Sequence, residues 1–146
     1  LPIFGFGWPP PSDIRWEMNT KLLMAASSIT LALVGLATSF APVELLATLK
    51  ISPTNPLPVI IQLLGALYLG FAMTNWMAKD SLIGGIYARP LSVGNCLHFA
   101  AGSLALFKYQ LATGFHGPLT VALVVYAIFA LAFVYLVFAR GVACRV

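Results

Sequence analysis

The sequence predicts an all-α integral membrane protein, a four-helix bundle running up-down-up-down. Three observations predict it. Of 146 residues, 60% are hydrophobic and only 8% are charged, where a soluble domain carries roughly a quarter. The twelve charges are placed so that four long stretches have none: 22 residues over Leu22–Val43, 28 over Ile51–Ala78, 18 over Pro90–Phe107 and 31 over Tyr109–Ala139. A helix needs about 20 apolar residues to cross the hydrocarbon core, so each stretch holds one crossing and none comfortably holds two. Finally, the stretches lack the alternation of apolar and polar residues that barrel strands require. Backbone polar groups in lipid must pair within their own segment, so the stretches are helices.

The chain divides into an aromatic and proline-rich arm over 1–21, the spans over 22–140 and a short tail over 141–146. The arm holds Phe4, Phe6, Trp8, Pro9, Pro10, Pro11 and Trp16. It lacks the basic start and apolar run of a signal peptide. Met18-Asn19-Thr20-Lys21 before an apolar run has the form of a bacterial membrane protein's start. Residues 1–17 are then either an extension or an aromatic arm lying at the interface or on a partner subunit, a depth that tryptophan favours.

Span 1 is expected over about Leu22–Phe40, closed by Ala41-Pro42 because proline disfavours helix at the residue before it. Ser52-Pro53-Thr54-Asn55-Pro56 reads as a loop, and span 2 follows from about Leu57 to Ala78 with Pro58 in its first turn. Span 3 runs from about Pro90 to Lys108, again with proline at its start. Gly114-Phe115-His116-Gly117 makes a turn, and span 4 runs from about Pro118 to Phe138. Short connections imply antiparallel neighbours. With four spans, one side of the membrane holds Arg15, Lys21, Lys79, Arg89, Arg140 and Arg145, and the other holds Lys50 and Lys108. That asymmetry predicts both termini in the cytoplasm, in a bacterial inner membrane. The net charge of +4 is thus a topology signal. It is not a nucleic-acid footprint, which would cluster the basic residues on one face.

Several function classes lose ground at once. No Asp or Glu lies within a span, which argues against a pump built on a buried carboxylate. No span carries an arginine series for voltage sensing. The halves do not read as inverted copies, which weakens a transporter, and a pore would need an oligomer with no charged ring to select ions. Cys96 and Cys144 lie too far apart in depth for a disulfide and form no CxxC. No catalytic residues and no metal ligands are predicted.

Polar groups inside the bilayer are costly and therefore informative. His98 sits about eight residues into span 3. Gly94, His98 and Gly102 recur every four residues and share one helix face. The glycines leave room beside the imidazole, either for a flat macrocycle with His98 as axial ligand or for another helix. His98 would in the second case hydrogen-bond across the bundle, to Gln62 or Tyr126. A bis-His haem site within the chain is not expected, because His116 lies in a loop on the side opposite the termini. Gly65, and Ala66 and Gly70 at four-residue spacing, in span 2, with Ala25, Ala32 and Gly35 in span 1, offer further faces for close packing. Span 4 is bulky all round, so one side of it is expected to meet lipid or another subunit.

The loop between spans 2 and 3 is the other notable segment. Asn75, Asp80, Arg89 and Asn95 would gather near the cytoplasmic surface, with Asp80 and Arg89 able to pair across the loop; such a group is either a small polar site or a cap that orders the hairpin. Gly84-Gly85 lacks the GxxxxGK[ST] spacing of a phosphate loop. The string Asn75-Trp76-Met77, Ile83-Gly84-Gly85-Ile86-Tyr87, Arg89-Pro90, Gly94-Asn95 and His98-Phe99 resembles small uncharacterised four-span bacterial membrane proteins. The outline over about residues 18–140 is similar to DoxX-like proteins. The resemblance implies a fold and a membrane address, and no activity.

Two functions fit these residues. The first is an accessory or structural subunit of a membrane complex, without catalysis of its own, whose partners are membrane lipids and other membrane subunits. The alternative is a protein that binds a lipid, quinone or pigment in the bundle, with His98 at the site. A membrane enzyme is disfavoured, because no nucleophile–base pair is visible.

Overall fold

The computed structural model describes residues 12–80 and 88–141, with side chains over 20–80 and 90–138. Among the described residues the fold is all-helical: α1 (Ser12–Phe40), α2 (Pro42–Thr48), α3 (Leu57–Ala78), α4 (Ala88–Thr113) and α5 (Gly117–Gly141). Four of these contain segments long and apolar enough to cross a membrane, at Thr20–Phe40, Leu57–Ala78, Pro90–Thr113 and Gly117–Phe138. This is the pattern of a multi-pass membrane protein. A 22-residue span is about 33 Å long at 1.5 Å per residue, enough for a hydrocarbon core of about 30 Å.

The helix ends follow local chemistry. Ala41, ahead of Pro42, leaves the helical region at φ −129° and ψ 49°, and this divides α1 from α2. At the end of α2, the Ile51 amide donates to the Leu46 carbonyl and the Lys50 amide to the Ala47 carbonyl. Lys50 sits at φ 58°. This is the Schellman pattern, here with lysine where glycine is usual. Gly114, at φ 90°, ends α4, and its amide donates to the Gln110 carbonyl. A side chain at that φ would be strained, so glycine is the residue that permits the tight turn over 114–116.

The observed boundaries refine the expected ones. Span 2 is found as expected. Helix α1 begins inside the aromatic arm, at Ser12; residues 1–11, with Phe4, Phe6 and Trp8, lie outside the described residues. Helix α4 continues to Thr113, five residues past Lys108. A lysine near the end of a span does not itself stop a helix, because its long stem lets the ammonium reach toward the headgroups. Helix α2 lies in the connection between the first two expected spans, where the sequence predicts no element.

The chain forms two compact units, divided between Ser81 and Leu82. In the first, α1 and α3 pack antiparallel: the pairings Lys21 with Asp80, Ser27 with Asn75, Ser28 with Ala72 and Gly35 with Leu69 descend one helix as they climb the other. In the second, α4 and α5 are antiparallel across the three-residue turn, pairing Phe99 with Phe133 and Gln110 with Thr120.

Buried and exposed faces are inverted relative to a soluble protein. On α1 the buried residues are Thr20, Met24, Ser27, Ser28, Leu31, Gly35 and Thr38, while Leu22, Ile29, Leu33, Leu36 and Phe40 are exposed. On α4, Ser92, Asn95, Phe99 and Gln110 are buried, while Leu97, Leu104, Phe107 and Leu111 are exposed. Lipid is as apolar as leucine, so large aliphatics gain nothing by turning inward. Small residues and hydrogen-bonding groups do gain, because they let backbones approach and find partners there.

Candidate functional site

In the first unit, the polar side chains are spent on joining α1 to α3. Asn75 is fully buried, and its Nδ2 donates to Ser27 Oγ at 3.1 Å. Ser27 Oγ donates in turn to the Met24 carbonyl at 2.9 Å. Ser28 Oγ crosses to the Ala72 carbonyl at 2.7 Å. Farther along, Thr38 Oγ1 bonds back to the carbonyls of Val34 and Gly35. Backbones nearly touch at this level. A Cβ at Gly65 would stand 2.6 Å from Thr38 Oγ1 and 2.7 Å from the Ser39 backbone nitrogen, and one at Gly35 would stand 3.0 Å from the Gly65 carbonyl oxygen. Neither glycine can be replaced without moving a helix.

The small residues of span 2 do not all take part in this contact. Gly65 makes the close approach; Ala66 and Gly70 face outward, and a Cβ at Gly70 would meet no described atom within 4 Å. The pair sits on an exposed stripe with Gln62 and Thr74, each four residues from the next.

At the charged end of the same unit, Asp80 forms an ion pair with Lys21. The hydrogen bond from Lys21, together with the nearby charges of Lys21 and Lys79, holds the Asp80 carboxyl below its ordinary pKa. Lys79 Nζ lies 3.1 Å from the centroid of the Trp76 ring. A cation on an aromatic face, beside an exposed indole, suits the membrane–water boundary. Of the four residues expected at the cytoplasmic hairpin, Asn75 and Asp80 are thus engaged by α1. Asn95 Nδ2 donates to the Leu91 carbonyl at 3.0 Å within α4. The side chain of Arg89 and the loop over 81–87 lie outside the described residues, and the Asp80–Arg89 pairing with them. Lys21 and Ser27 were missing from the expected set.

In the second unit, aromatic rings join the helices. Phe99 and Phe133 are both fully buried and stack with centroids 5.8 Å apart and planes 8° apart. Phe129 stacks on Phe99 at 4.9 Å, and Tyr126 meets Phe99 edge-on at 5.2 Å. His98 belongs to this cluster, 5.1 Å from Phe99 and 5.7 Å from Tyr126 between ring centroids. Tyr126, one of its two expected partners, is its neighbour; Gln62 belongs to the exposed stripe of α3.

The glycine beside His98 has a resident. A Cβ at Gly102 would lie 2.6 Å from Tyr126 Cε1 and 2.7 Å from its Cδ1. At Gly102 the room beside the imidazole is taken by a tyrosine ring of a neighbouring helix, α5. On α5 the buried set is Tyr126, Ala130, Phe133 and Leu136, one face at helical spacing, while Val121, Val124, Ile128, Leu131, Tyr135 and Phe138 are exposed. The bulky span is therefore two-sided, with its outer side suited to lipid.

Near the turn, Gln110 is fully buried and its Oε1 accepts from Thr120 Oγ1 at 2.9 Å. Its Nε2 has no hydrogen-bond partner among the described residues. Among the described residues no three of His, Cys, Asp and Glu come together as metal ligands would. Cys96 is a free, half-buried thiol, and Cys144 lies outside the described residues. Compared with protein-family models, curated proteins and solved structures, the chain has no match.

Proposed function

We propose that the protein is an accessory subunit of a membrane complex, set in a bacterial cytoplasmic membrane with both termini in the cytoplasm and without catalysis of its own. The carrying observation is how its polar groups are used. Ser27, Ser28 and Asn75 are spent on joining helices, and Gly102 is spent on seating Tyr126. These are structural uses of the residues a catalytic or cofactor site would draw on. Helix α3 supports the partner side of the reading. It buries only Gly65, Ala72 and Asn75, and its outward face carries Ala66 and Gly70 at the spacing that lets another membrane helix approach closely. The excess of basic residues on one side supports the orientation. In outline the chain belongs beside four-span proteins of the DoxX-like kind.

Extraction of native membranes in a mild detergent, followed by native electrophoresis, tests this. The reading expects the chain in a band larger than itself, together with other membrane polypeptides. Migration as a lone chain from native membranes counts against it.

A second reading has one observation in its favour: an imidazole inside an aromatic cluster, His98 against Phe99 and Tyr126, is a wall on which a quinone or pigment ring could lie. It predicts an absorption band in the purified protein that His98→Ala abolishes.

A further inference from the structure

No further inference is drawn: the strongest candidate, the exposed stripe of Gln62, Ala66, Gly70 and Thr74 on α3, belongs to the contact face already proposed, and nothing in the structure shows what covers it.

Discussion

The two hairpins solve one problem by opposite means. Helices α1 and α3 are held by what is small: glycines at 35 and 65 bring the backbones together, and Ser27, Ser28 and Asn75 then reach across. Helices α4 and α5 are held by what is large: four aromatic rings and an imidazole fill the seam, and Gly102 serves to seat a ring. In water both would be driven by hiding apolar surface. In lipid that drive is gone, and packing and hydrogen bonds remain. The first hairpin draws on both; the second draws mainly on ring packing, whose geometric part adds to whatever surface burial supplies.

The contrast can be broken most severely at Gly65. Leucine there would drive a side chain into Thr38 and the Ser39 backbone, and overpacking of this kind should cost about 3 kcal/mol or unfold the first hairpin. Denaturation in detergent, followed by circular dichroism, would read it. Phe99→Ala attacks the second hairpin through a cavity. The expected loss is about 2 kcal/mol, below the roughly 3–5 kcal/mol of Phe→Ala in water-soluble cores, because lipid removes most of the transfer contribution. Asn75→Ala removes the bond to Ser27 and should cost about 1 kcal/mol, since hydrogen bonds between membrane helices are modest.

The smallest effect belongs to the Lys21–Asp80 pair, which is exposed and screened. The pKa of Asp80 is depressed in the fold, so its contribution is fully present above the unfolded carboxyl value and is lost as pH falls through the folded one. The window therefore lies below about pH 4. Asp80→Asn should flatten that part of the stability–pH curve, and raised salt should do the same to the unmodified protein.

Much of this fold could be read in the residues alone, because charge placement and proline are local signals. Pro42, Pro58 and the Gly114 turn mark helix ends where the structure has them, and α4 begins at Ala88, two residues ahead of Pro90. The far end of α4, at Thr113, lies past the expected Lys108, because a charge at the end of an apolar stretch bounds the stretch and not the helix. Helix α2 was missed because seven residues are too few to show a period. The candidate site was less legible. Which of Gly65, Ala66 and Gly70 faces α1 depends on helix rotation, and span 2 has polar residues on both faces, Gln62 and Thr74 on one and Asn75 on the other. One signal was available: Thr20, Ser27, Ser28, Gly35 and Thr38 already form a stripe of small and polar residues at helical spacing on α1, and it predicts the face that meets α3. The filling of Gly102 by Tyr126 had no such signal, because it depends on the register between two helices.

The central claim is that α3 uses its two faces for different ends, Gly65 inward for the fold and Gly70 outward for a partner. Native electrophoresis of Gly70→Leu beside the unmodified protein, both from native membranes, tests it most directly. The account predicts that Gly70→Leu leaves the assembly and runs as the lone chain, with hairpin stability unchanged within about 0.5 kcal/mol, as for other exposed substitutions. A Gly70→Leu chain that stays in the larger band, or an unmodified chain that already runs alone, would contradict it.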